Sequence, residues 1–296
     1  MRNEFPKPPY RPFADGPYRL AMGLMPLAES DWLECDGDLV AALAMKRLLL
    51  AERHGEVFAV DAEAEAPAAE LLALMAAHLP QHHPMLFHRE GNRLGNRATG
   101  ETWDLAARAL HPLDLAGRLV AEDLCILQAQ GERHILTGAS LCSPARWRLA
   151  EKMGKPLIAV HAPVPGYAEG LGPSVDRFFA ALKPGRLVGR LNWGLADDPT
   201  PFQPVACSPA AGITPINAGE RLWLRVERQT LRRLAQTGAV IFTIRTHITR
   251  LDRAVASPAE AQALSEAVCS MPPAMQAYKQ IAPVAEALLG WLARSA

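Results

Sequence analysis

Between residues 221 and 228 the chain alternates strictly. Leu222, Leu224 and Val226 are apolar, while Arg221, Trp223, Arg225 and Glu227 bring charge or an aromatic ring. A period of two sends successive side chains to opposite faces of a strand. One face is therefore built for a core, and the other for solvent or for the wall of a polar pocket. Arg186–Leu195 reads the same way, with Leu187, Leu191 and Trp193 on one side and Arg186, Arg190 and Asn192 on the other. Ala239–His247 is a third strand, entered through a tight turn at Thr237-Gly238. Upstream, Leu124–Leu127 and Ile135-Leu136 flank Gln130-Gly131-Glu132, which predicts a hairpin. Ser143-Pro144 starts a helix to about Met153, Pro156–Val160 is a short apolar run, and Val175–Leu182 reads as helical.

Helical periods dominate both ends. Asp36 and Asp38 offer caps for a helix over 38–54, and Leu71, Met75 and Leu79 line a second over 66–79. Ser257-Pro-Ala-Glu260 is a capping box, and another helix follows from about Ala274 to Arg294. Residues 1–30 read as an extended arm and 85–115 as loop-rich. The order strand, strand, helix, irregular helical segment and three strands predicts an α+β fold. Its centre is a PAS-like five-stranded antiparallel sheet with helices on one face, plus N- and C-terminal helical extensions. The expected division is 1–115 for an N-terminal helical and loop extension, 116–250 for the PAS-like domain and 251–296 for the C-terminal helices.

Composition narrows the class. Of 296 residues 49% are hydrophobic, enough for a substantial core, and 31 basic against 31 acidic side chains give a formal charge of +0. A neutral chain has no broad electrostatic attraction for nucleic acid or an anionic membrane. No apolar run reaches the roughly 18 residues of a membrane span, and Met1-Arg-Asn-Glu-Phe-Pro has no signal-peptide character. The expectation is a cytoplasmic protein. The cysteines at 35, 125, 142, 207 and 269 form no Cys-x-x-Cys pair. That argues against a disulfide framework and against a cysteine-held zinc or iron–sulfur site.

Several residues carry candidate chemistry, each with a plainer alternative. His161 precedes Ala-Pro-Val-Pro-Gly, whose stiff backbone would hold an imidazole at a fixed angle, as a metal ligand needs. The alternative is a histidine bonded to a nearby carbonyl. Arg225 and Glu227 share a strand face, and Arg245 with His247 shares a face of the next strand. If close and buried, Glu227 could hold an ammonium group or relay a proton; otherwise these are surface ion pairs. His78, His82, His83 and His88 form a histidine cluster, but Pro80 interrupts its helical face. Asp197-Asp198-Pro reads as a turn. Phosphate-binding glycine loops and Gly-x-Ser-x-Gly are absent from the sequence.

Eight segments together resemble the haem-dependent oxidative N-demethylase alpha-subunit family over roughly 10–290. They are Glu101-Thr-Trp-Asp-Leu105, Ala121-Glu-Asp-Leu124, Leu136-Thr-Gly-Ala-Ser-Leu-Cys142, Arg146-Trp-Arg-Leu-Ala-Glu-Lys152, His161-Ala-Pro-Val-Pro-Gly-Tyr167, Arg190-Leu-Asn-Trp193, Leu222-Trp-Leu-Arg-Val-Glu-Arg-Gln-Thr-Leu231 and Phe242-Thr-Ile-Arg-Thr-His247. The resemblance implies a PAS-like domain with a histidine-ligated haem b. It implies oxidation of a small methylated amine by dioxygen with release of formaldehyde. It also implies electrons from a separate flavin and iron–sulfur reductase subunit, and a folate-binding partner for the formaldehyde. Under it, His161 is the expected iron ligand and His247 the runner-up. Glu227 is expected to hold the substrate ammonium, Arg225 or Arg245 to face bound oxygen or a haem propionate, Tyr167 to make a polar contact, and Trp193 to line the cofactor. A haem-based gas or redox sensor and a cofactor-free PAS-like assembly protein are the competing readings.

Overall fold

A computed structural model describes residues 5, 7–107, 109–205 and 211–295. Its ten strands are β1 (Met25–Pro26), β2 (Phe58–Val60), β3 (Phe87–Glu90), β4 (Arg93–Asn96), β5 (Thr102–Asp104), β6 (Asp123–Gln130), β7 (Arg133–Ser140), β8 (Leu187–Ala196), β9 (Trp223–Arg233) and β10 (Val240–Arg250). Seven make one antiparallel sheet in the order β1-β8-β9-β10-β6-β7-β2. The five strands expected from alternation are its contiguous middle. Five strands is nonetheless too few, because β1 and β2 extend both edges. Two or three residues are too short to display a period, so the pattern could not announce them.

The register assigns the faces. Val226 lies opposite Trp193 on β8 and His247 on β10, whereas Glu227 lies opposite Asn192 and Thr246. On the Val226 face, Leu222, Leu224 and Val226 pack with Leu264, Val268, Leu288 and Leu292 of the C-terminal helices Pro258–Cys269 and Ala285–Ser295. Further along the same face, Leu124, Ile126 and Ile241 pack with Leu71, Met75 and Leu113 of helices Glu65–His82 and Pro112–Leu119. On the Glu227 face, Val188, Leu231, Val240 and Leu127 pack with Leu157, Phe179 and Leu182. Helices therefore cover both faces rather than one. The second layer was hidden because the polar half of β9 becomes apolar only at Leu231.

Two further expectations are corrected. The stretch read as loop-rich contains the three-stranded sheet β3-β4-β5. Gly95 is required there: a Cβ would stand 2.2 Å from the His88 ring. The helix expected from Ser143 to Met153 is only a 3-10 turn at Leu149–Glu151. Ala145 bridges to Gln203, and Arg146 takes φ 65, a left-handed conformation that no α-helix accommodates. Half of the expected capping box forms: the Ser257 hydroxyl accepts the Glu260 N–H at 3.3 Å, while the Glu260 carboxylate accepts the Ala256 N–H at 2.7 Å rather than that of Ser257. Among the described residues, no helix is long and apolar enough to cross a membrane. Cys207 lies outside the described residues; Cys35, Cys125, Cys142 and Cys269 are free thiols.

Candidate functional site

Glu227 is the centre of a polar cluster on its face of the sheet. Its Oε2 accepts from Asn192 Nδ2 at 3.2 Å and Gln229 Nε2 at 3.0 Å, and its Oε1 accepts from Arg225 Nε at 3.4 Å. The side chain keeps only 14% of its exposure. Alternation brings Arg225 and Gln229 to the same face, and the β8–β9 register brings Asn192 alongside. Arg225 is not free for a ligand. Its Nη2 donates to Ser143 O at 2.5 Å and Thr246 Oγ1 at 3.4 Å, and its Nη1 donates to Pro201 O at 3.2 Å. It ties two loops to the sheet and steadies the carboxylate.

His161 ends the short helix Leu157–Val160. Its ring Nδ1 stands 2.9 Å from Leu157 O. A carbonyl only accepts, so Nδ1 carries the proton and Nε2 keeps its lone pair. Among the described residues, Nε2 has no hydrogen-bond partner. Burial, opposed by the Leu157 bond, holds the imidazole below the usual histidine range. The chain then turns through Gly166 at φ 72 into a π-helix, Tyr167–Leu171. That turn stacks Tyr167 on the imidazole at 4.5 Å and 14°. Stacking covers the ring face and leaves the edge bearing Nε2. Burial pushes the Tyr167 phenol up to about 12. Its contact is with the imidazole.

Two groups complete the cluster that sequence reasoning assigned no role. Arg190 projects from β8 on the Glu227 face, and among the described residues its buried Nε has no hydrogen-bond partner. Burial drags its pKa down against the opposing fields of Glu227, Tyr18 and Tyr167. Its field in turn reaches His161. Lys279, just past helix Pro273–Tyr278, donates from Nζ to Trp193 O and to Asn192 Oδ1, the latter at 3.3 Å. Burial lowers it to about 8, although Glu227 raises it. Alternation exposed Arg190 as polar without showing that it lacked a partner. Nothing in the local pattern pointed to Lys279, which arrives from 50 or so residues away.

Arg245 and Trp193 belong elsewhere. Both lie on the Val226 face, so the sheet separates them from Glu227. Arg245 pairs with both oxygens of Asp36 at 2.9 and 3.0 Å. Trp193 packs edge-on against Phe13 at 6.2 Å and meets the cluster only through Lys279, whose Nζ donates to its carbonyl and lies 5.7 Å from its ring centroid. His247 is likewise on that face, bonded to Glu34 at 2.9 Å. Glu34, Asp36 and His247 have ligand atoms within 4.8 Å of one another. Arg228, Arg245 and the Tyr10 hydroxyl already balance that group, so it requires no ion. In the histidine cluster, the His78 ring lies tilted at 36° to that of His82 with centroids 4.4 Å apart and stands 3.6 Å from Glu29, and among the described residues it forms no three-ligand set. A cavity of about 380 Å³ beside Trp223, Arg250 and Arg253 lies at the strand ends and includes none of the cluster.

Among the described residues the Glu227 face thus offers one open imidazole nitrogen, one guanidinium with a buried unpartnered Nε and one carboxylate with donors on both oxygens. That set suits a planar metal chelate bearing negative side arms, with a cationic ligand beside it. The family model described as haem-dependent oxidative N-demethylase, alpha subunit-like, matches residues 23–289. The match takes in all ten strands together with His161, Arg190, Glu227 and Lys279. The chain belongs to this family.

Proposed function

We propose that this member of the family binds haem b through His161 and removes an N-methyl group from a small amine held by Glu227. The observation that carries the reading is the state of His161: its Nδ1 is committed to Leu157 O at 2.9 Å, and its Nε2 is left without a partner. A second ring hydrogen bond of this kind fixes the tautomer and orientation that a ligating histidine needs. The unpartnered Arg190 Nε fits the same group, since a haem propionate would satisfy it. When bound, the haem supplies the oxidation of the methyl group by dioxygen, the carbon leaving as formaldehyde.

The chain's own residues do the rest. Glu227 accepts the N–H of an alkylammonium and is positioned to take its proton, which frees the nitrogen lone pair that oxidation requires. Arg225, Asn192 and Gln229 hold the carboxylate in one orientation so that it need not reorganise when the amine arrives. Tyr167 fixes the imidazole by stacking. The arrangement of β7-β6-β10-β9-β8 with helices over the Glu227 face supports a PAS-like domain. The alpha-subunit designation of the family supports a partner subunit; in this reading a flavin and iron–sulfur subunit supplies the electrons and a folate-binding subunit takes the formaldehyde.

Glu227→Gln tests the amine site. The variant should keep its haem absorption, while the Kd for dimethylammonium, read from the spectral change of the haem-loaded protein, should rise at least about tenfold. Titrations that superimpose on the wild type would remove Glu227 from the site.

A further inference from the structure

We propose that Lys279 is the resident cation of the Glu227 site and gives up its proton to solvent when an alkylammonium binds. The proposal rests on the reading of Glu227 as the amine-holding carboxylate. Three observations lead to it. First, the Lys279 ammonium donates to two neutral oxygens, Trp193 O and Asn192 Oδ1, the latter at 3.3 Å. No carboxylate lies within ion-pair distance of it among the described residues. Second, the same Asn192 amide donates from Nδ2 to Glu227 Oε2 at 3.2 Å, so one side chain separates the lysine from the carboxylate. Third, the charged groups whose fields reach Lys279 are Glu227, which favours its cation, and Arg190, which opposes it. Glu227 already contacts the Arg225 cation, and the phenols of Tyr278 and Tyr18 complete the ionisable surroundings.

One carboxylate therefore faces three protein cations, and of these the lysine is held only by neutral oxygens and the Trp193 ring. A substrate ammonium docking on Glu227 adds a fourth positive charge a short distance from Nζ. Like charges this close in a partly desolvated site repel strongly. Two of the cations are guanidinium groups and keep their protons. The lysine does not have to: burial already brings it to about 8, within reach of neutral pH. Binding of the amine then lowers it further, and by linkage the proton leaves. The neutral amine of Lys279 still donates to Asn192 Oδ1. The asparagine therefore stays oriented with Nδ2 toward Glu227, as a lysine with donors alone had set it.

The sign of the pH dependence follows. Well below pH 8, Lys279 is charged with or without ligand, and binding is weakened by repulsion. Through the window just below pH 8, binding releases a proton and apparent affinity climbs. Above it the lysine is neutral throughout, and affinity levels off while simple alkylamines remain protonated. Calorimetric titration of the haem-loaded protein with dimethylammonium chloride, repeated in buffers of different ionisation enthalpy, counts the released protons directly. The wild type should release on the order of half a proton near pH 7.5 and almost none at pH 9.5. Lys279→Met should release none, lose the pH dependence between 6.5 and 8.5, and bind roughly tenfold tighter at pH 6.5. Lys279→Gln, which keeps a donor for Asn192, should behave likewise and serves if the methionine variant does not fold. Lys279→Met and Lys279→Gln with wild-type proton release would overturn the proposal while leaving Glu227 in place. Unchanged binding in Glu227→Gln would instead sink the amine site itself.

Discussion

A guanidinium taken out of water without a hydrogen-bond partner is a costly group, and Arg190 carries one such nitrogen. Every other charged residue at the site has found partners: Arg225 in carbonyls, Glu227 in three donors, Lys279 in two oxygens. In the proposed reading an anionic ligand arm would satisfy Arg190; Arg228, Arg232 and Arg245 also carry a buried unpartnered Nε, but each of these has a carboxylate partner. Arg190→Met should therefore weaken haem retention by roughly ten- to a hundredfold, the worth of one or two charge-assisted hydrogen bonds, without lowering the stability of the haem-free protein. Transfer of haem to an acceptor protein, followed optically, measures the first; urea unfolding of the haem-free form measures the second. At this scale the sequence was partly readable. Alternation placed Arg225, Glu227, Arg190 and Asn192 on one face of two strands. It could not reveal that Arg245 faces the other way from Glu227, because cross-strand register is set by pairing that spans a turn. A shift of one residue exchanges the faces.

Elements were legible in proportion to their length and regularity. The helices Leu39–Glu52, Glu65–His82 and Pro258–Cys269 follow their apolar stripes, although only the last carries a side-chain cap and the expected Asp38 cap does not form. The segment from Ser143 does not follow its proline, because Asp123 accepts the backbone N–H of Cys142 and Ser143 at 2.7 and 2.9 Å and Arg225 seizes the Ser143 carbonyl. Those tertiary bonds outweigh a local preference worth well under 1 kcal/mol per residue. Helix Glu65–His82 carries its own prediction. His78 is 3% exposed, and both ring nitrogens lack hydrogen-bond partners. Burial, with His82 beside it, lowers its pKa from 6.5 to about 4. The folded protein thus holds it neutral while the unfolded chain takes up a proton below about pH 6.5. Stability from this residue is complete above that pH and is lost as pH falls toward 4, to the extent of about 3 kcal/mol. Thermal unfolding across pH 4–7 should show a steeper acid decline for the wild type than for His78→Gln. Parallel declines would show that the imidazole does not report on folding.

The whole molecule gathers its site from distant stretches of chain. His161 comes from the irregular helical segment, Arg190 and Asn192 from β8, Glu227 from β9 and Lys279 from beyond the sheet. The C-terminal helices are consequently more than a buttress. Gly219 lies against the Trp291 ring, where a Cβ would stand only 2.5 Å away, and this close packing joins the last helix to the chain entering β9. The order of the five central strands was legible because each announces itself by period, whereas the second helical layer was not. The meeting of residues 161, 190, 227 and 279 was not, since it depends on which face each layer covers. The central claim is that one imidazole on this face holds the iron. Titration of the haem-free protein with haemin, followed by absorption spectroscopy, tests it most directly. The wild type should bind one equivalent and develop the Soret band of a histidine-ligated haem, and His161→Ala should fail to retain it. Stoichiometric binding with an unchanged spectrum in His161→Ala would contradict the account.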